Sequence, residues 1–403
     1  MSEFPGRLRV LQVQNQHAPG WGGEETVVAL EKRLLQDHGH VVEDFQVSNA
    51  RLKSAHIFWQ ILAVPSFLWS RRSYAALRRR IAEFEPDVVH VHNTFPELSP
   101  SVFWAARREG VPVVQTLHNF RHVCANALLL RDGFRCEKCV GRRGGSALLH
   151  RCYARSLSRS AVVVATGILH QVIGTYSRGV DAFITLNDFN REIFRGGGLP
   201  DNKLHVKPNF VPASQLGNCA RKRQAIFVGA MMPSKGVHLL LQAWSAAALA
   251  EFELLLIGDG PERKSLEREF AHLGNITWCG RMERPQILAR MAESRVLVFP
   301  SLAYENCPMV VLEALSVGTP VVSANHSSLT AMVEHQREGL LFQTGDAQAL
   351  ASALREALHA DDGTWSQWSS AARQTHAQRY SDNVNYQQLV SIYGNVMRPR
   401  AAR

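Results

Sequence analysis

Five short apolar runs recur between residues 225 and 324: AIFVGA, FELLLIGDG, NITWCG, VLVFP and PVVSA. Each has the length and β-branched texture of a strand buried on both faces. Helical stretches are expected between them at 237–249, 261–273, 285–293 and 309–317. Alternation at this spacing builds an α/β fold around a doubly wound parallel sheet. A further helix is expected at 346–359, with Trp365 and Trp368 in another helical region after it.

The last two runs bracket residues 296–324, VLVFPSLAYENCPMVVLEALSVGTPVVSA. This stretch reads as a strand at 296–299, a loop, a short helix and a strand at 320–323. Pro308 suits the first helical turn, where a missing N–H costs nothing. Gly318 suits the residue past the helix end, and Pro320 forbids continuation. Glu305 lies in the loop and Glu313 about a turn into the helix. The backbone N–H groups near residues 306–310 are expected to face the same crevice as both carboxylates. Donors and acceptors together suit a ligand carrying phosphate and sugar hydroxyls.

The first half shows the rhythm less regularly. A strand at 8–14, the loop NQHAPGWGGEE, a helix to about residue 38 and a strand at 40–47 make a βαβ opening. Gly22 and Gly23 in that loop would let backbone approach a phosphate, although a glycine pair also suits a simple turn. Strands at 86–93 and 111–120 flank a helix at 100–109. His118 falls at the C-terminal end of the second of these strands, where open parallel sheets hold ligands. His90 and His92 sit within a strand and read as structural. Another strand begins at Asp181, a helix follows to the glycines at 196–198, and a strand spans 204–211.

At 403 residues the chain exceeds one ordinary core. The polar, aperiodic stretch 211–224 reads as a linker between domains at 1–210 and 211–382, with a helical tail at 383–403. Tyr386, Leu389 and Tyr393 share one side of that tail. Apolar content of 46% and charged content of 20% are those of a globular protein. A net charge of +10 implies an acidic partner: nucleic acid, anionic lipid or a nucleotide diphosphate. The start lacks a signal-peptide core, and no run approaches the ~18 apolar residues of a membrane span. Seven cysteines without secretory targeting point to a reducing, cytoplasmic location.

Two segments stand apart. Residues 55–84 join Ile57, Phe58, Trp59, Phe67 and Trp69 to Arg71, Arg72, Arg78, Arg79 and Arg80. Aromatic and basic residues together suit an anionic membrane surface; the alternative is a core helix, a break at Pro65 and a wet basic helix. The excursion 121–155 carries Cys124, Cys136, Cys139 and Cys152 as C-x11-C-x2-C-x12-C. Four thiolates would complete a tetrahedral structural zinc site, and the alternative is a loop with free thiols.

In order, these motifs resemble the retaining, nucleotide-sugar-dependent glycosyltransferases of family four, which have the GT-B fold. The residues carrying the resemblance are Gly22-Gly23, His118, KPNFV with Asn209, FVGAMMPSKG with Lys235, LLLIGDGPE with Gly258 and Gly260, WCGRM, and ENCPMVVLE with Glu305 and Glu313. It implies two Rossmann-like domains facing across a cleft, the first for the acceptor and the second for a UDP- or GDP-sugar. It also implies a final helix crossing back to the first domain. On the resemblance Glu313 meets the ribose hydroxyls, Lys235 with Gly22 and Gly23 the diphosphate, and Asn306, Cys307, Pro308 and Met309 form the turn at the transferred sugar. His118 would lie close to that sugar and Glu305 beside its anomeric centre, as nucleophile or as electrostatic support. No cofactor is required for catalysis. The acceptor is expected to be lipid-linked or a glycan of the cell surface, reached at the inner membrane face, and nucleic acid is not expected as a partner.

Two departures stand out. Ala230 occupies the position where many relatives carry an arginine, so either Arg281 or Arg284 assists Lys235 or the phosphates are held more weakly. The loop reads ENCP where many relatives have a glycine-aromatic-glycine version. The competing readings are a sugar-nucleotide-modifying enzyme such as an epimerase, a non-catalytic paralogue, and a zinc-containing nucleic-acid-binding protein.

Overall fold

The computed structural model describes residues 6–16, 23–48, 64–142, 144–214, 216 and 220–397. The chain divides into two compact units: residues 1–129, 136–208 and 385–403 in the first, and 130–135 with 209–384 in the second.

The first unit is built on a parallel sheet of β1 (Arg9–Gln16), β2 (Val41–Ser48), β3 (Val88–Asn93), β4 (Val113–Thr116), β7 (Ala182–Thr185) and β8 (Leu204–Val206), in the order β2-β1-β3-β4-β7-β8. Every residue of β3, β4 and β7 is buried, as strands covered on both faces by crossover helices require. Two strands are shorter than their apolar runs suggest. Past Thr116 the chain leaves the sheet, so His118 is a loop residue, and the strand expected at 204–211 stops at Val206.

The terminal helix Asp382–Val396 buries Leu389, Val390, Ile392 and Tyr393 among Val10, Val88, Val114 and Ile184 of this sheet. The apolar side read from the sequence is therefore a core face. The helix Leu157–Val172 is absent from the sequence reading. Ser156 caps it by accepting from the Arg159 N–H, and its Leu157, Leu169 and Val172 are exposed.

The second unit carries β9 (Gln224–Val228), β10 (Glu253–Ile257), β11 (Ile276–Gly280), β12 (Val296–Phe299), β13 (Val321–Ala324) and β14 (Gly339–Phe342), all parallel, in the order β11-β10-β9-β12-β13-β14. The strand β14 is an addition to the expected set. The antiparallel hairpin of β5 (Leu130–Arg131) and β6 (Phe134–Arg135) also belongs to this unit. The helix Met309–Val317 has the bounds its sequence predicts. Pro308 is its N-cap, and Gly318 ends it at φ 68°, where a Cβ would be strained. Val311 to Val317 are all buried, so this short helix is a core element with its N-terminal end open to the loop.

Strand order reverses between β1 and β3 in the first unit and between β9 and β12 in the second. In open parallel sheets the loops diverge at such points and leave a crevice at the C-terminal strand ends.

Residues 55–63 of the basic aromatic segment lie outside the described residues. In the described part, Trp69 stacks on His170, while Arg78 pairs with Glu109 and Arg80 with Glu43. Arg71, Arg72 and Arg79 remain exposed. Among the described residues, no helix is long and apolar enough to cross a membrane.

Candidate active site

In the second unit the switch point is formed by the loops after β9 and β12. The first contains the 3-10 turn Pro233–Lys235, closed by Gly236 at φ 70°. The Leu302 and Ala303 N–H groups donate to the Ser234 carbonyl and bind the two loops together. Lys235 Nζ then lies 2.7 Å from Glu305 Oε1, and Ser301 Oγ donates to the same oxygen at 2.6 Å. The Ser328 hydroxyl bonds the Glu305 carbonyl, and His326 Nε2 donates to the Ser301 carbonyl at 2.8 Å. Glu305 is thus held on its side-chain and backbone oxygens. Lys235, 29% exposed, is the group of the pair more open to a ligand. Ser301, His326 and Ser328 were not singled out in the sequence. Their signal is positional, since all three lie in loops at the C-terminal ends of β12 and β13.

Glu313 is buried on its helix and accepts a hydrogen bond from Arg284 Nε at 2.7 Å. Burial pushes its pKa up, and the Arg284 guanidinium opposes the rise. This pairing changes the expectation for Arg284, which is engaged by Glu313 instead of standing ready for a phosphate. Arg281, 59% exposed and 3.7 Å from Asp259, remains the second cation near the glycine-rich turn after β10. Asn209 donates through Nδ2 to the Cys307 carbonyl at 3.1 Å and so fixes the ENCP turn. Its Oδ1 is buried without a protein partner. The structure thus gathers Asn209, Lys235, Glu305, Asn306, Cys307, Pro308, Met309 and Glu313 in the second unit, at the strand ends and the start of one helix.

In the first unit His118 anchors a buried polar network. His118 Nε2 and His92 Nδ1 are 3.0 Å apart, and His92 Nε2 lies 3.7 Å from Glu31 Oε2. Glu31 Oε1 takes Lys207 Nζ at 2.7 Å, and Lys207 also reaches Asn385 Oδ1 at 3.2 Å. His90 bridges Thr116 and the Tyr393 hydroxyl, each at 2.8 Å. Burial raises the Glu31 pKa, but Lys207 and His92 outweigh it and hold Glu31 low. His92 Nε2 and Glu31 Oε2 stand too far apart for a hydrogen bond, and each is buried without a hydrogen-bond partner. One ring nitrogen of the His92–His118 pair donates to the other, which fixes the plane and position of His118. Burial drives the His118 pKa down to about 4, against the pull of Glu31, so the imidazole is neutral at pH 7. His90 and His92 are structural, as the sequence indicates, and they are also what orients His118.

Among the described residues the group close enough to chelate a cation is Glu31, His90 and His92. The Lys207 ammonium already supplies the positive charge there, so this cluster does not suit a metal.

Gly22 lies outside the described residues, and Gly23 opens the helix Gly23–Asp37. Its neighbour Glu24, unnoticed in the sequence, has its pKa raised to about 8 by burial and by Glu25, against hydrogen bonds from Asn93 and Gln14. Its carboxyl therefore holds a proton far more readily than an ordinary glutamate, on the helix that follows β1. A cavity of about 330 Å³ opens elsewhere in this unit, lined in part by Arg121, His122, Cys124, Cys139, Tyr176 and Gly197. His122 Nδ1 is buried without a protein partner, and burial takes the His122 pKa down to about 4.

Residues 21–215 match the family model described as Glycosyltransferase Family 4, and residues 222–360 match that of Glycosyl transferases group 1. The chain belongs to glycosyltransferase family four. A phosphatidyl-myo-inositol mannosyltransferase of Mycobacterium leprae is 24% identical over 340 residues, 83% of this chain and 80% of its own. Among solved structures, a glycosyltransferase from Rickettsia africae is 14% identical with a TM-score of 0.69, over 99% of this chain and 100% of its own. Anabaena HepE in complex with UDP-glucose is 18% identical with a TM-score of 0.63, over 96% and 100%. These likenesses identify the two parallel-sheet units as the GT-B fold, and the chain as a glycosyltransferase.

Proposed function

We propose that this family-four glycosyltransferase transfers a sugar, with retention of anomeric configuration, from a UDP- or GDP-sugar to a lipid-linked or glycan acceptor in cell-surface polysaccharide synthesis. The observation that carries the reading is the pairing of Lys235 with Glu305 and of Arg284 with Glu313 at one switch point. A cation and two carboxylates at the C-terminal strand ends match a ligand that combines diphosphate with hydroxyls.

Lys235 leaves Glu305 for the diphosphate and neutralises it as it departs, which is electrostatic stabilisation of the leaving group. Glu313 accepts from the ribose hydroxyls, since an ionised carboxylate offers acceptors alone. Arg284 sets its orientation and keeps it charged. The turn Asn306 to Met309 meets the transferred sugar. Glu305, still held by Ser301 once Lys235 has left, acts as positioning and electrostatic support beside the anomeric centre in preference to nucleophile. His118 offers a neutral imidazole to the sugar, and no metal is needed for these steps. The cavity beside His122 and Tyr176 supports an acceptor site in the first unit. Exposed Arg71, Arg72 and Arg79, with exposed Leu157, Leu169 and Val172, support work at an anionic membrane face.

The test incubates the protein with UDP- and GDP-sugars and membrane extract, then reads nucleotide diphosphate release and the product anomer by NMR. Retained configuration and sedimentation with anionic but not zwitterionic vesicles are expected. Glu313→Ala should lower donor affinity at least about tenfold, or about 1.4 kcal/mol, in a folded protein. Calorimetry in which the intact protein binds no nucleotide sugar would sink the reading.

A further inference from the structure

We propose that Cys124, Cys136, Cys139 and Cys152 are the four ligands of one structural zinc ion that closes the excursion between β4 and β7. The first support is convergence. Cys139 and Cys152 pack on the same small cluster of Ala125, Ala147 and Val163, and Cys124 directly precedes Ala125. Cys124 and Cys139 also line the same cavity. Ala147 ties the cluster to the last of the thiols: its N–H donates to the Gly144 carbonyl at 2.9 Å, and its carbonyl accepts the Cys152 N–H at 3.0 Å. Cys136 enters through the C-x2-C turn, in which the Val140 N–H donates to the Glu137 carbonyl and the Arg142 N–H to the Cys139 carbonyl. None of the four is in a disulfide.

The second support is that this region needs a staple. Its strands are two residues each, its helix Gly145–Leu149 spans five, and its buried apolar residues are Val123, Ala125, Ala127, Leu129 and Ala147, three of them alanines. Among the described residues, six of eleven non-glycine residues with positive φ fall here: Ala127, Leu129, Asp132, Arg151, Ala154 and Arg155. Such conformations persist only where surrounding structure over-determines them, and so small a core cannot do this alone. A tetrathiolate ion can.

The four sulfurs stand wider apart than Glu31, His90 and His92 do, whereas zinc holds each sulfur at about 2.3 Å. Loading therefore draws the thiols together and tightens the excursion. Cys124 and Cys136 flank the β5–β6 hairpin, whose Arg135 lies 5.4 Å from the Tyr304 ring, next to Glu305. A metal at the base of that hairpin sets where its tip begins and ends. Cys279, half-buried on β11, and Cys307, in the ENCP turn, take no part.

The test uses the full chain purified with zinc and without chelator. Elemental analysis should find about one zinc per chain, and the Cys139→Ser/Cys152→Ser variant less than about a tenth. Cobalt loading should give the intense bands of tetrahedral thiolate coordination in the parent chain and lose them in the variant. A measurement independent of the variant's folding is alkylation of the native parent chain, read by mass spectrometry. Zinc should protect these four thiols at least about tenfold relative to chelated protein, and leave Cys279 unprotected, given the tightness of structural sites. Equal labelling with and without chelator, stoichiometric iron in place of zinc, or less than about a tenth of an equivalent of zinc in the parent chain overturns the proposal.

Discussion

Lys207 and Glu31 are the most demanding pair in the chain, since both side chains are fully buried and joined at 2.7 Å. Removing one partner leaves the other charged and without compensation, so Lys207→Met and Glu31→Gln should each cost about 3–5 kcal/mol of unfolding free energy. The double variant Glu31→Leu/Lys207→Met should recover part of that loss, because two buried charges vanish together. Urea titration of the three variants measures this, and additive losses would refute the pairing. The network was out of reach of the sequence. Lys207 begins the same KPNFV motif from which Asn209 was singled out, but its partner is 176 positions earlier. His118 was singled out as a strand-end residue, and it lies in the loop just past β4. Its orientation was not legible, because that depends on Glu31, His92, Lys207 and Asn385 meeting through the fold.

At the scale of elements, residues 296–324 were readable because every signal there is local. An apolar strand, a Pro308 start, a Gly318 stop and a second apolar strand fix the βαβ unit from neighbours alone. What holds the unit in register with the loop after β9 is a close approach that no pattern announces. A Cβ on Gly236 would stand 2.1 Å from the Pro300 carbonyl oxygen, and Gly236 is left-handed. Gly236→Ala should therefore push apart the loops that carry Lys235 and Glu305. Expected are a stability loss above about 1–2 kcal/mol and at least a tenfold fall in kcat/KM. Gly345→Ala is the control, because Gly345 is also left-handed yet has open space around its Cβ position. It should cost similar backbone strain and leave kcat/KM unchanged. Equal activity losses in the two variants would detach the glycine from the site. The excursion and the helix Leu157–Val172 were poorly legible for the opposite reason. The first is made of turns, and the second exposes apolar residues, so neither shows the amphipathic period that marks an ordinary surface helix.

For the whole molecule, the distribution of buried histidines predicts that the two units respond differently to acid. His118 and His122, both in the first unit, have their pKa lowered to about 4 by burial, from an ordinary 6.5. Between those values the unfolded chain binds protons that the folded chain does not, so each histidine makes stability fall as pH drops. The slope is up to about 1.4 kcal/mol per pH unit for each. His90 and His92, buried beside Lys207, act in the same direction. Glu24 opposes them. Its pKa is raised to about 8, so the folded chain binds the extra proton, and the stability this contributes is lost as pH rises from 4.5. One carboxyl against four histidines leaves a net loss of stability in acid between pH 6.5 and 4.5. In the second unit, burial also lowers the pKa of His326 and His376, but their carbonyl hydrogen bonds resist the shift. Hydrogen exchange read by mass spectrometry at pH 6.5 and pH 5 separates the units. Peptides covering β3 and β4 should lose protection at pH 5 before those covering β12 and β13, and His122→Phe should delay the loss. Earlier opening of β12 and β13, or exchange unchanged between the two pH values, would contradict the assignment of acid sensitivity to the first unit.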